Sequence, residues 1–249
     1  MIDCPPAEWQ ARQQLAACYR LFHLLGWTEL IYNHISLRVP SMADRPAEFL
    51  LNPFGLHYSE VCASNLVKVD VHGQVLQHNK WGINPAGFTP HAAIHAQVAD
   101  AHCVMHTHTT AGMAVACSKA GLSMSNFYAA QLGGRVAYHD FEGITVHSDE
   151  GARMLAAIGN KPAVILRNHG LLAWGATLPA TFYLLWILQR ACEVQVAGAA
   201  LGPVIEIDGD TQRRCAEDAN KLNGAENFGE DLFAAMLRLV DRQDRSWRG

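Results

Sequence analysis

The chain is short of charge. Only 17% of its 249 residues are Asp, Glu, Lys or Arg, and the formal net charge is −4. No Lys/Arg-rich run offers a footprint for a phosphate backbone, which argues against nucleic acid as a partner. Cysteine is equally uninformative in pattern: the seven are odd in number and scattered, with no C-x-x-C pair. That excludes a disulfide framework and a cysteine zinc site and leaves most of them as small buried hydrophobes. No stretch approaches eighteen uninterrupted apolar residues, and Met1-Ile2-Asp3-Cys4-Pro5-Pro6 shows no basic segment leading into an apolar run. The expectation is a cytoplasmic chain with no membrane partner. Internal repeats and low-complexity tracts are missing too. A composition that is 50% hydrophobic over this length is enough for one large domain with a substantial core.

Helical and strand patterns alternate along the chain. Residues 7–25 place Leu15, Cys18, Tyr19, Phe22 and Leu25 at helical spacing, with Gly26 as the stop. Short strands are predicted around Ile35–Val39, Phe49–Pro53 and Val67–Val71, with a turn at His72-Gly73 leading into Gln74-Val75-Leu76. Thr89-Pro90 reads as N-cap and N1 of a helix over His91–Val98. Further helices are expected over Thr110–Ser118, Asp149–Ile158 and residues 178–200, and strands at 103–107, Arg135–Tyr138, Ile144–Val146 and 162–166. Residues 208–249 change character, with Arg, Asp and Glu dominant. They read as two exposed helices, so the expected division is a domain over 1–205 and a charged helical tail over 206–249, a solvated segment on the simplest reading.

Among thirteen histidines, two groups stand out. His106-Thr107-His108 and Arg167-Asn168-His169-Gly170 each fall at the C-terminal end of an apolar strand, where α/β proteins usually place their sites. His106 and His108, two apart, share a face of an extended backbone. Three neutral imidazoles suit Zn²⁺ or another borderline divalent ion, and a catalytic site keeps one position open beside them. The plain alternative is half-buried histidines bonded to the backbone, with Asn168 and Gly170 present only to turn the chain.

Six motifs in order widen this reading. They are Gly26-Trp27 with Leu30-Ile31-Tyr32-Asn33-His34-Ile35-Ser36, then Asn52-Pro53-Phe54-Gly55-Leu56 with Tyr58-Ser59-Glu60, then Asn84-Pro85-Ala86-Gly87-Phe88-Thr89 with His91. His106-Thr107-His108-Thr109, Tyr138-His139-Asp140 with Gly143, and Leu166-Arg167-Asn168-His169-Gly170 complete the set. Over residues 8–200 the chain resembles the class II aldolase/adducin superfamily, and is more similar to the adducin head-domain branch than to the sugar-phosphate aldolases. The resemblance implies an α/β fold: a three-layer α/β/α class II aldolase-like domain with a mostly antiparallel central sheet. It also implies one divalent metal ion, with zinc favoured over manganese, iron or cobalt, held by His106, His108 and His169. Such an ion acts as a Lewis acid on carbonyl and hydroxyl oxygens.

The departures from the family pattern are as telling. The catalytic branches carry Glu or Asp four residues before the position of His91, where this chain has Gly87; loss of a positioned acid/base forfeits a factor of about 10² to 10⁴ in rate. Pro85-Ala86 replace the serine pair beside that acid, and Phe54-Gly55 replace Ser-Gly in the earlier phosphate loop. Asn33 alone remains of that cradle, which disfavours a phosphorylated substrate. Asn33, Gly55, Gly87 and Asn168 are the candidate substrate-binding positions. His91, Tyr138 and Asp140 are the candidates to replace the missing acid/base, His91 because it lies one helical turn beyond position 87. Three functions stay open: a metal-dependent aldolase-like lyase on a small, non-phosphorylated hydroxy-carbonyl compound, a non-catalytic oligomerisation or protein-binding head that retains the metal, and a carboxylate-binding protein. A homo-oligomer, a tetramer by family analogy, is implied on any of them.

Overall fold

A computed structural model describes residues 2–40, 46–77, 80–144, 149–224 and 227–249. The helix predicted over 7–25 is present as α1 (Pro6–Leu25), with a proline at its start and Gly26 in the left-handed region at its end. β1 (His34–Arg38), β2 (Glu48–Leu51), β3 (Val67–Asp70), β4 (Cys103–Thr107), β5 (Val136–His139), β6 (Ala163–Leu166) and β7 (Gly170–Gly175) form one sheet in the order β3-β2-β1-β4-β7-β6-β5. Each neighbouring pair is antiparallel except β5 with β6. The expected three-layer α/β/α architecture with a mostly antiparallel sheet is therefore what the chain forms.

Alternation along the strands sorts the two faces. Cys103 and Met105 of β4 and Ala163 and Ile165 of β6 face a large core that also holds Leu15, Tyr19 and Phe22 of α1 and Leu185, Leu188 and Cys192 of α6 (Leu178–Gly198). Val104, Val164, Leu166 and Leu172 face the other layer, made by α2 (Pro85–Gln97) and α5 (Glu150–Ile158), where Ile94, Met154 and Ile158 are buried. α3 (Thr110–Cys117), directly after β4, and the short α4 (Phe127–Ala130) pack in the layer of α1 and α6, where Val115, Ala116 and Ala129 join the large core.

Two expectations need correction. α2 begins at Pro85, six residues before the predicted start, because Asn84-Pro85 is a second cap-and-proline pair upstream of Thr89-Pro90. Pro90 lies inside the helix, and Thr89 Oγ1 donates to the carbonyl of Pro85 at 2.9 Å. The turn after His169 leads straight into β7, a strand that the histidine motif hid. Ile144 of the strand predicted at 144–146 lies in a bend; residues 145 and 146 are outside the described residues.

The final segment is helical as expected, in α7 (Gly209–Asn223) and α8 (Glu230–Gln243). Its packing is uneven. α7 buries only Ala216 and Ala219, whereas Phe233 and Val240 of α8 and the following Trp247 join the core beside α1 and α6. Arg20 of α1 bonds the carboxylate of Asp244 at 2.8 Å and Ser246 Oγ at 3.0 Å, fixing this end of the chain to the first helix.

Candidate metal centre

β4 and the residue just after it bring His106 and His108 together at the strand's C-terminal end, and the turn between β6 and β7 carries His169 to them. Asn168 makes that turn with φ +56° and its N–H donates to the carbonyl of Ala116. Gly170 is required by space, since a Cβ there would lie 2.2 Å from the carbonyl oxygen of Thr107. The three Nε2 atoms converge: His106 to His108 2.9 Å, His108 to His169 3.0 Å and His106 to His169 3.2 Å.

Protons cannot account for this triangle. His106 Nδ1 lies 2.8 Å from the carbonyl of Leu171, which can only accept, so the ring hydrogen is on Nδ1 and Nε2 is bare. His108 Nδ1 likewise lies 3.0 Å from Asn33 Oδ1, and the amide of Asn33 is oriented by its Nδ2 donating to the carbonyl of Trp27 at 3.1 Å and to Glu29. Two lone pairs therefore face each other at 2.9 Å. Burial pushes all three imidazoles below the ordinary value, His106 well below it and His108 to about 4, the neighbouring histidines adding to the effect for both. A divalent cation resolves the repulsion. Tetrahedral coordination with metal–nitrogen bonds of about 2.0–2.1 Å has nitrogen–nitrogen edges of about 3.3–3.4 Å, close to the observed triangle. Among the described residues these three make the one cluster of suitable ligand atoms.

The triangle forms part of the wall of a cavity of about 530 Å³ with Tyr32, Phe54, Met113, Phe141 and Ile144 among its apolar lining. The candidate residues fall on different sides of it. Gly87 and Asp140 line the cavity. Asn33 is fully buried, and its amide is committed to His108, Trp27 and Glu29, so it orients the His108 ring and is not among the cavity's lining residues. Gly55 and Asn168 are not among the lining residues; Gly55 packs near Trp81 and Asn168 turns the chain beside a second, shallower depression. Tyr138 faces away: its hydroxyl accepts the N–H of Leu122 at 3.0 Å and its ring lies 4.2 Å under the guanidinium of Arg167. His91 is wholly buried and does not reach the cavity, because His34 stands between it and His106.

His34, Glu29 and Glu150 are cavity residues that the motif reading passed over. The register could have exposed His34, for it sits opposite His106 in the β1–β4 pairing. Its ring also fills the room at position 87, where a Cβ would be 2.8 Å from His34 Cδ2. A carboxylate at 87 would start inside that imidazole. Burial raises the pKa of Glu29 while the bond from Asn33 opposes the shift.

Comparison with known proteins agrees with this architecture. Residues 13–196 match the family model of the class II aldolase and adducin N-terminal domain. The chain belongs to that family. It is 43% identical, over 97% of its own length and 93% of the other, to a Pseudomonas aeruginosa protein named for aldolase class 2. It is 42% identical over 92% of its length to rat alpha-adducin, of which it spans 33%. Among solved structures, an aldolase II superfamily protein from Pseudomonas syringae superposes with a TM-score of 0.94 at 38% identity, over 99% of this chain and 98% of that one. An L-fuculose 1-phosphate aldolase from Glaciozyma antarctica superposes with a TM-score of 0.82 at 25% identity, over 98% and 94%.

Proposed function

We propose that the chain is a metal-dependent aldolase-like lyase acting on a small hydroxy-carbonyl compound without a phosphate. The observation that carries this reading is the set of converging Nε2 atoms, two of them with the ring hydrogen fixed on the far nitrogen, opening onto a largely apolar cavity. His106, His108 and His169 would hold one divalent ion, zinc first and manganese, iron or cobalt as alternatives. When bound, the ion supplies Lewis-acid polarisation of a carbonyl oxygen.

The protein's own groups do the rest. Asn33 and the carbonyl of Leu171 orient the imidazoles, as supporting hydrogen bonds do at metal sites generally. Tyr32, Phe54 and Phe141 exclude water and favour a compact, weakly charged substrate. Arg167 is the one Lys or Arg among the cavity's lining residues, and its guanidinium is committed to the carbonyl of Ser118 at 2.8 Å and to the face of Tyr138. Among the described residues a phosphate dianion would find no free Lys or Arg there, which argues against the substrate class named for the Glaciozyma antarctica enzyme.

The same reading takes the chain as a homo-oligomer, a tetramer by analogy with the family. Tyr32 and Phe54 line the cavity while 56% and 39% exposed, and with the neighbouring Leu30, 76% exposed, they suit coverage by a second copy.

The deciding experiment is element-resolved metal analysis of the wild type beside His108→Ala. About one divalent ion per chain, lost in the variant, is the expected result. A wild type that takes up no metal after incubation with zinc, manganese, iron or cobalt overturns the reading.

A further inference from the structure

We propose that His34 is the proton-accepting residue of this cavity, filling the space left by Gly87 and held with its Nε2 bare by a one-way hydrogen-bond chain through His91, Ser36 and His95. The chain is continuous. His34 Nδ1 lies 2.9 Å from His91 Nε2, His91 Nδ1 2.7 Å from Ser36 Oγ, Ser36 Oγ 2.7 Å from His95 Nε2, and His95 Nδ1 2.6 Å from the carbonyl of Ala101. His34 and Ser36 are two apart on β1 and His91 and His95 four apart on α2, so each pair shares a face and the two faces oppose one another.

The last contact fixes the direction of all the others. A carbonyl only accepts, so His95 carries its hydrogen on Nδ1 and its Nε2 must accept from the hydroxyl of Ser36. That hydroxyl has one hydrogen, already given, so it accepts from His91 Nδ1–H. His91 Nε2 is then bare and accepts from His34 Nδ1–H, which leaves His34 Nε2 without a hydrogen. A second proton on His91 or His95 would bury an uncompensated charge. His34 lines the cavity, and among the described residues no group hydrogen-bonds its Nε2. The ring centroid is 4.9 Å from that of His106, and His34 is not a member of the ligand triangle.

This step rests on the hydroxy-carbonyl reading above. His34 Nε2 takes the proton of a C–H bond next to the carbonyl. The C–H electron pair forms the carbon–carbon double bond of an enediolate, and the carbonyl π pair moves onto oxygen. The proton on Nε2 exchanges with solvent, and transfer of the exchanged proton from Nε2 back to the same carbon restores the ketone and frees Nε2, so in D₂O the net change is hydrogen for deuterium. His91, Ser36 and His95 are positioning residues that act through His34.

Two measurements on the full chain test this. The first reads the imidazole tautomers of wild type by ¹⁵N NMR: His34 and His91 are expected as Nδ1–H, and an Nε2–H form of His34 overturns the proposal with no variant needed. The second follows loss of the carbon-bound protons of dihydroxyacetone in D₂O with zinc-loaded protein. His34→Asn should lower exchange by about 10²- to 10⁴-fold with zinc still at one per chain, and Ser36→Ala should lower it less while mixing the tautomers of His34. Exchange that survives His34→Asn overturns the role of His34 and leaves the metal-dependent reading standing. A zinc-loaded wild type that exchanges nothing overturns both. If the wild type binds no metal, the metal-dependent reading fails on its own and the tautomer measurement still decides the chain of bonds.

Discussion

Two groups of buried histidines lie side by side on the same sheet, and they are wired in opposite ways. In the triangle of His106, His108 and His169, the hydrogens on His106 and His108 point outward, to Leu171 and Asn33, so that lone pairs collect at one point. In the chain from His34 to His95, each hydrogen is passed to the next group and only the last lone pair is left over. The difference comes from what each Nδ1 meets. A fixed acceptor behind two of the rings leaves their lone pairs facing one point, whereas a hydroxyl between two rings makes a relay. The same side chain offers a lone pair to a shared point in one place and serves as an orienting link a few ångströms away.

Acid separates folded from unfolded protein most strongly. Burial holds His95 at about 3 and His108 at about 4, against an unfolded value near 6.5. The unfolded chain thus binds more protons below about pH 6.5, and the stability tied to these groups, full above that pH, is lost as pH falls toward 4 and then 3. On metal-free protein, urea unfolding at pH 5 should be easier than at pH 7.5 by about 2 kcal/mol for His95 alone. A curve flat over that range would mean that the relay is hydrated and the burial overstated.

Asn33→Ala attacks the triangle only. Loss of the amide behind His108 should weaken zinc about 10- to 100-fold in a chelator competition while leaving the tautomers of His34 unchanged. Unaltered affinity would show that Leu171 and packing suffice to aim the ligands. Gly87→Ala attacks the other group, because its Cβ would press on His34 Cδ2 at 2.8 Å. A stability loss of about 1–3 kcal/mol by urea titration, with zinc affinity unchanged, is expected. A gain, as for an ordinary helical glycine made alanine, would mean that His34 moves aside freely.

Much of this was legible in the chain. The apolar runs 103–107 and 162–166 announced the strands that lead to the converging histidines, and Gly26 marked the end of the first helix. The motif order gave the family and the three histidines that converge. The start of α2 was obscured by a second proline pair inside the helix, and β7 by the histidine turn that precedes it. The polar character of 208–249 suggested a solvated tail, yet two apolar residues in α8 and one tryptophan were enough to seat its end in the core.

Residue type and spacing by themselves determined that three imidazoles would be available and that position 87 would lack an acid, since neither depends on distant contacts. Tertiary structure alone decided the direction of every hydrogen bond. Strand register placed His34 against His106, and the packing of α2 on β1 set His91 and His95 behind it. The carbonyls of Ala101 and Leu171 then chose which nitrogen of each ring stays bare, because a carbonyl can only accept and an imidazole must answer with its one hydrogen.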